Sequence, residues 1–390
     1  MFSKLSYSRS MSEGTSPVHD GRKTALYVIV TILSLAVLKM AQSVLLPLVI
    51  ALFIFLIFNP MLNRMEKMKV PRWIGVLVVM VVLLIVFFVA AWFFFFSVDR
   101  LVQRLPMYVR RFSVIDMWLA EELGLDSQTS FLMFIDFDWG GIILSSLSSV
   151  SGRAISIVSM AALVYIFVLF LLLERQSLIP KLKVAVPGGK GMKVAVMFER
   201  VNRQISRYLS LKTVISLVTG SLFYLACLAT GLDFALLWGV GAFILNFIPS
   251  IGSIIITALT IVMALLQFFP SWANILYVAI LMISIQMVLG NILDPRIQGI
   301  QLNLSPIIIL ASLSVWGFIW GIPGMFLAVP MTSILQIIFA NTKSLKPLAV
   351  LIGSGRPYRK VLQQELKRKA EREQRRKVRE ERRSSRSPQV

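Results

Sequence analysis

In the second half of the chain, the side chains that could bind a solute are neutral and polar. They lie beside breaks in long apolar runs. The first break contains Asn246, Pro249, Ser250, Gly252 and Ser253. Amides and hydroxyls can exchange hydrogen bonds with a hydroxylated solute. A broken helix leaves backbone groups unpaired, and inside a bilayer such a break survives only against protein or a wet cavity. We therefore expect a solute-binding site at this break.

A second break lies at Pro323 and Gly324, within an apolar run that leads to Phe339. A span directed outward precedes the first break, and a span directed inward precedes the second, which is the order of an inverted-topology repeat. In that architecture the solute site lies near the bilayer midplane, between two broken helical hairpins. The two breaks share only a few residues, so chance similarity stays open as the alternative.

Four further candidates lie between the breaks: Gln286, Asn291, Asp294 and Arg296. The two amides suit a hydroxylated solute, whereas the charged pair could form a gate or a coupling site. Each has a simpler alternative, because polar side chains in membranes often bond one helix to another and Asp294 with Arg296 could cap a helix end. We expect these residues, with those of the two breaks, to bind or gate the solute.

The composition indicates an integral membrane protein and excludes most catalytic chemistry. Of 390 residues, 57% are hydrophobic and 15% are charged, which is typical of a multispan chain. A single cysteine, Cys227, excludes a disulfide framework, and a single histidine, His19, excludes histidine triads and two-histidine zinc motifs. The glycine-rich segment 187–191 lacks Walker spacing, so we interpret it as a hinge. We expect no enzyme activity, no cofactor and no metal ion.

We predict an all-α fold of six to eight transmembrane helices, in which the two Pro/Gly-broken hairpins are either re-entrant or full spans. Asn59 and Pro60 are expected to end the second helix. A helical extracytoplasmic insert is indicated by apolar residues at three- and four-residue steps and by an acidic excess. The predicted segments are a polar tail (1–24), N-terminal spans (25–97), the insert (98–152), a span with a basic amphipathic region (153–212), a transport core (213–345) and a basic tail (346–390).

The net charge of +21 is concentrated in a few segments and predicts the orientation. Lys and Arg are abundant before residue 72, between residues 174 and 212, and from residue 356 onward, and such segments remain in the cytoplasm. Both termini are therefore expected to be cytoplasmic. For the basic tail we favour binding to anionic lipid, with a purely solvated tail as the alternative. Nucleic acid is a weak candidate, because the tail lacks interleaved aromatic residues.

Four segments together resemble the autoinducer-2 exporter family, also called the PerM-like family, of bacterial inner-membrane proteins. They are residues 246–253, 291–295, 302–306 and 316–330, and the resemblance as a whole covers residues 26–357. It implies a multispan transporter that forms homo-oligomers. Members are assigned to export of autoinducer-2, to sodium–proton exchange or to transport of small organic acids. The chain departs from the family pattern in lacking a proline at 258–260 and in having Asp294 where glutamate is usual.

Three functions compete at this stage: an exporter of a small polar metabolite such as autoinducer-2, a cation–proton antiporter, and a membrane scaffold without transport activity. The segments 213–230, 234–269, 272–290 and 305–339 contain no Asp, Glu, Lys or Arg. Proton relays need titratable groups within the membrane, so this composition disfavours the antiporter. The broken helices disfavour the scaffold.

Overall fold

The computed structural model describes residues 17–123, 139–185, 191–293 and 303–355, together with a few residues between 363 and 374. The chain forms two compact units, residues 1–46 and residues 47–390. The first unit contains helix α1 (Pro17–Met40) and the beginning of α2 (Gln42–Lys67). The second unit contains the predicted transport core.

Long helices build the second unit. After α2 come α3 (Arg72–Glu122), α4 (Trp139–Ala185), α5 (Gly191–Thr230), α6 (Ala235–Leu245), α7 (Ile251–Phe268), α8 (Trp272–Gln286), α9 (Pro306–Asn341) and α10 (Lys346–Ile352). The chain continues from α8 as a π-helix, Met287–Leu293, and a 3₁₀ turn, Lys343–Leu345, leads into α10. The described ranges contain no β-strand, which confirms the predicted all-α class.

Seven of the described helices are long and apolar enough to cross a membrane: α2, α3, α4, α5, α7, α8 and α9. This confirms an integral membrane protein, and the number of candidate spanning helices among the described residues lies within the predicted six to eight. Within the predicted transport core, helix α6 is too short, because its 11 residues extend only about 17 Å, against a hydrocarbon core of about 30 Å.

The second helix does not end at Asn59 and Pro60, so that expectation was wrong. Helix α2 continues through both residues to Lys67. Asn59 is buried, and its Nδ2 donates a hydrogen bond to Asn202 Oδ1 on α5 at 3.0 Å. This tertiary contact holds the residue before the proline in the helix, although that position usually avoids helical geometry.

Three predicted segment boundaries fall inside continuous helices. Helix α3 crosses the boundary at residues 97 and 98, α4 crosses that at 152 and 153, and α5 crosses that at 212 and 213. At these boundaries the sequence changes from apolar to amphipathic because the surroundings of the helix change. The backbone hydrogen bonds of the helix continue across the boundary. The amphipathic part of α3 buries Tyr108 at 6% exposure, as its spacing predicted.

A polar cluster joins α2, α3 and α4 at one end of the second unit. Arg175 on α4 pairs with Glu66 on α2 at 3.1 Å and donates a hydrogen bond to Asn63. Arg72, at the start of α3, donates hydrogen bonds to the carbonyl oxygens of Leu172 and Leu173 on α4. The end of α2, the start of α3 and the latter part of α4 therefore lie at the same level.

A second polar cluster, here called the latch, lies farther along α3. Arg104 pairs with Asp233, in the turn between α5 and α6, and Tyr108 donates a hydrogen bond to the same carboxylate. Gln267 at the end of α7 accepts a hydrogen bond from the Asp233 N–H and donates one to the Gly231 carbonyl oxygen. Burial, and then the Asp233 carboxylate, raise the pKa of Tyr108 above its ordinary value, so its hydroxyl remains a donor at neutral pH.

Arg104 lies 32 residues after Arg72, or about 48 Å along a continuous helix. The two polar clusters therefore mark opposite ends of α3. The ring of Trp118, farther along the same helix, packs against Phe269, in the turn between α7 and α8, and against Trp272, the first residue of α8. Through these contacts α3 covers the α5–α6 turn and the α7–α8 turn at one end of the unit.

The segment 302–306, which carries part of the family resemblance, is bonded to the chain just after α10. Leu304, just before α9, forms an antiparallel bridge with Gly353, just after α10. The Ser354 N–H donates to the Asn303 carbonyl oxygen at 3.1 Å, and the Ser354 hydroxyl donates to Asn303 Oδ1 at 2.7 Å. These bonds tie the end of α10 to the beginning of α9.

Candidate functional site

The first break is a helical hairpin formed by α6 and α7. Its turn contains Ser250, an exposed residue with a φ of 60°. A Cβ at Gly252 would lie 1.8 Å from the Leu245 carbonyl oxygen, so the close approach of the two arms requires glycine. A Cβ at Gly241 would lie 3.0 Å from Ile256 Cδ1. Contacts between residues 15 positions apart show that the chain folds back on itself.

The second break is a hairpin within α9. Gly321 has a φ of 65° and a ψ of −145°, outside helical geometry. Across the break, Trp316 Nε1 donates a hydrogen bond to Thr332 Oγ1 at 3.2 Å. In an uninterrupted helix these residues would be separated by about 24 Å. Pro323 is half-buried, and Gly324 is buried where a Cβ would lie 2.0 Å from the Trp316 carbonyl oxygen.

The two hairpins contact each other close to their breaks. The ring centroids of Phe247, in the first turn, and Phe326, just after the second, are 6.3 Å apart. Each break has a residue with a positive φ, followed within three positions by a glycine packed on a carbonyl of the preceding arm: Ser250 and Gly252 in one, Gly321 and Gly324 in the other. The two breaks therefore share this close approach of glycine to a carbonyl as well as a few residue types.

A buried amide without a hydrogen-bond partner lies beside the first hairpin. Gln286, at the end of α8, is 7% exposed. Across the described ranges, neither its Oε1 nor its Nε2 has a partner. A Cβ at Gly290 would lie 3.2 Å from Gln286 Oε1 and 3.6 Å from Ser253 Oγ, so these two predicted site residues approach the same point. Leaving such a group unsatisfied costs about 1–3 kcal/mol, which makes Gln286 the strongest site candidate.

The backbone around Gln286 is also unusual. Helix α8 changes there from α-helical to π-helical geometry, which continues to Leu293. Single π-helical turns occur frequently at functional sites, because the extra residue redirects side chains and frees backbone groups. Asn291 belongs to this π-helix, and its backbone is the part that the structure describes.

Thr257 belongs to the same region and was missed by the sequence analysis. Its Oγ1 is buried, and among the described residues it has no hydrogen-bond partner. Thr257 follows Ser253 by four residues on α7, so the two hydroxyls share a helix face. That spacing was the available signal. Thr260, three residues later, differs because its hydroxyl donates to the Ile256 carbonyl oxygen at 2.7 Å.

Not all of the other predicted site residues are found beside Gln286 and Ser253. Asn246 is buried, and its Nδ2 donates a hydrogen bond to Ser216 Oγ at 3.0 Å, joining α6 to α5. This contact matches the interhelical alternative. Asp294 and Arg296 lie outside the described residues.

An ionisable side chain is buried where the sequence analysis placed the end of a cytoplasmic segment. Lys212 on α5 is 1% exposed and takes part in polar interactions. It precedes Ser216, the partner of Asn246, by one helical turn. The helical core near the first hairpin is therefore less neutral than the span boundaries suggested.

These features define a class of protein. Seven apolar helices, two broken hairpins in contact, and unsatisfied polar groups beside one of them belong to a multi-pass membrane transporter. Comparison with known proteins agrees, because residues 28–344 match the model of the AI-2E family transporter. The chain belongs to the AI-2E transporter family, which confirms the resemblance found in the sequence.

Individual relatives cover most of the chain. A candidate transport protein of Borreliella burgdorferi is 34% identical over 328 residues, which is 84% of this chain and 90% of that protein. The AI-2 transport protein TqsA of Escherichia coli (strain K12) is 30% identical over 340 residues, with 86% and 96% covered. YhhT of the same strain, also a candidate transport protein, is 30% identical over 344 residues, with the same coverage.

Proposed function

We propose that this chain exports a small, uncharged, polar metabolite across the bacterial inner membrane, with autoinducer-2 as the first solute to test. The observation that carries the proposal is the unpartnered amide of Gln286, which approaches the same point as Ser253, with the unpartnered hydroxyl of Thr257 one turn farther along α7. A hydroxylated solute offers both donors and acceptors, and it would satisfy the amide and both hydroxyls together. The name of TqsA, an AI-2 transport protein, supports this choice of solute.

The site lies between α7 and the π-helical end of α8, next to the contact between the hairpins. The arms of the first hairpin start at the latch, where Asp233 and Gln267 are bonded. Those of the second start and end near the bridge between Leu304 and Gly353. We propose that the hairpins enter the bilayer from opposite sides as an inverted repeat, so that their breaks meet inside the membrane. We also propose that the chain works as a homo-oligomer and that both termini are cytoplasmic.

Counterflow into proteoliposomes tests the function. Proteoliposomes that contain the wild-type protein and are preloaded with unlabelled autoinducer-2 should accumulate labelled autoinducer-2 without an ion gradient. Replacing the buried amide by a thioether of similar shape, Gln286→Met, should lower the counterflow rate at least tenfold. It should not lower the melting temperature, because it removes an unsatisfied polar group. Met282→Leu, one turn earlier and fully buried in an apolar cluster, is the matched control.

Two results would contradict the proposal. If wild-type protein catalyses no counterflow with autoinducer-2 or with a panel of polyols and hydroxyketones, the substrate class is wrong. If Gln286→Met transports at the wild-type rate, the solute does not bind this amide.

A cation–proton antiporter is the second candidate, and the burial of Lys212 favours it. A lysine enclosed among helices can bind and release a proton during a transport cycle. Under this alternative, sodium efflux from the vesicle lumen would be exchanged for proton entry and would acidify the lumen, and Lys212→Gln would abolish the pH change. Under the exporter proposal, solute counterflow persists without a proton gradient.

A further inference from the structure

A half-open groove of about 600 Å³ lies at the latch end of the second unit, away from the proposed solute site. One wall is a face of α3, and the other is formed by the end of α5 and the beginning of α6. On α3 the lining residues recur at steps of three and four, at positions 93, 96, 97, 100 and 104. Across the groove lie Tyr224 and Leu228 of α5 and Leu236 and Leu237 of α6.

The charged side chains that line the groove are Arg100, Arg104 and Asp233, and the two arginines differ in their partners. Arg104 is paired with Asp233 in the latch. The Arg100 guanidinium lies 4.2 Å from the centroid of the Phe96 ring, and no carboxylate pairs with it in the part of the chain that the structure describes. Stacking on Phe96 orients this cation without neutralising it. Arg100 is therefore available to an anion.

The apolar part of the groove opens toward lipid. Leu228 is 53% exposed and Leu236 is 45% exposed, on helices that belong to the membrane core. The apolar span of α3 ends at Phe93, and Arg100 lies seven residues, or about 10 Å, beyond it. Phospholipid phosphates occupy that level, because the headgroup regions flank the hydrocarbon by several ångström.

We propose that this groove binds a phospholipid with an anionic headgroup. The phosphate bonds with the Arg100 guanidinium, and an acyl chain lies along Phe93, Leu228 and Leu236. An arginine guanidinium forms two parallel hydrogen bonds with a phosphate, which suits a site with one free cation. A soluble anion would use Arg100 but gain nothing from the apolar walls. The lipid would join α3 to the α5–α6 turn next to the latch.

The test measures lipid retention on the full-length protein by native mass spectrometry. Detergent-solubilised protein is titrated with phosphatidylglycerol or with phosphatidylcholine of the same acyl chains. Wild-type protein should retain phosphatidylglycerol preferentially, and Arg100→Gln should weaken that retention at least fivefold. Arg110→Gln is the matched control, because Arg110 is an exposed arginine on the same helix outside the groove.

A second variant tests the apolar wall without altering charge. Leu236→Trp fills the groove and should weaken phosphatidylglycerol retention while leaving counterflow of the transported solute detectable. Equal retention by Arg100→Gln and Arg110→Gln would overturn the proposal and assign the lipid to other basic segments. Displacement of the lipid by millimolar inorganic phosphate would overturn it in favour of a soluble anion. A groove closed by a second copy of the chain would instead show protein cross-links at a Leu228→Cys position.

Discussion

Two threonines on α7 differ in whether the fold uses their hydroxyls. Thr260 donates to its own helix at Ile256, whereas the Thr257 hydroxyl has no partner within the described residues. Threonine and valine have nearly the same shape, so replacing either one removes a hydroxyl and leaves the packing almost intact. Valine variants at the two positions therefore distinguish a hydroxyl that binds the solute from a hydroxyl that only stabilises the helix.

We predict that Thr257→Val lowers the counterflow rate about tenfold, because a solute loses one hydrogen bond worth about 1–1.5 kcal/mol in the site. Thr260→Val should transport within twofold of wild type. Thermal unfolding in detergent is the control for folding, and Thr257→Val should be no less stable than wild type. Equal transport losses in both variants would show that the hydroxyls matter only for helix packing.

The residue types of the site were predictable, and their partners were not. Gln286 and Ser253 stood out as polar groups in apolar runs, and the structure brings them to one point beside Gly290. Asn246 had the same sequence signature, yet its amide is bonded to Ser216. Whether a buried amide is satisfied depends on the neighbouring helix, which sequence spacing does not specify.

At the scale of elements, the hairpins depend on two glycines. A methyl group at Gly252 would lie 1.8 Å from a carbonyl oxygen, and one at Gly324 would lie 2.0 Å from another. Both obstacles are backbone atoms, which cannot move without opening the hairpin.

We predict that Gly252→Ala and Gly324→Ala each destabilise the protein by about 1–3 kcal/mol, as overpacking does, and reduce counterflow more than tenfold. Gly241→Ala is the control, because its methyl group meets only the flexible end of Ile256 at 3.0 Å. Melting temperature and counterflow rate are measured on the same purified samples. Wild-type behaviour of both the Gly252 and the Gly324 variants would mean that the arms do not pack this closely.

Helix type and number followed from the sequence, whereas helix ends did not. Apolar run lengths predicted six to eight spans, and the described residues contain seven helices that are long and apolar enough to cross. The expected end at Asn59 failed because Asn202 on α5 stabilises the asparagine within α2. The π-helix after Gln286 leaves no comparable signal, since its residues are as apolar as those of an α-helical span.

At the scale of the whole molecule, the orientation in the membrane is testable with the native chain. The single cysteine, Cys227, is fully buried, so new cysteines can be introduced without removing it. Lys181 lies near the end of α4, and Glu121 near the end of α3 beyond the latch.

We predict that Glu121→Cys is labelled by a membrane-impermeant maleimide added to intact spheroplasts and that Lys181→Cys is labelled only after lysis, because Lys and Arg excess marks cytoplasmic segments. The unmodified chain is the control for Cys227. Labelling of Lys181→Cys in intact spheroplasts would invert the topology and place the latch on the cytoplasmic side.

Protection of an introduced cysteine by solute tests whether solute occupies the space between Ser253 and Gln286. Ser253→Cys should react with a small water-soluble thiol reagent in proteoliposomes, and saturating autoinducer-2 should slow the reaction at least fivefold. Ile254 is the next residue on α7 and is 67% exposed. The reaction rate of Ile254→Cys should not depend on solute. A Ser253→Cys protein that catalyses counterflow but reacts at the same rate with and without solute would show that solute does not occupy this space.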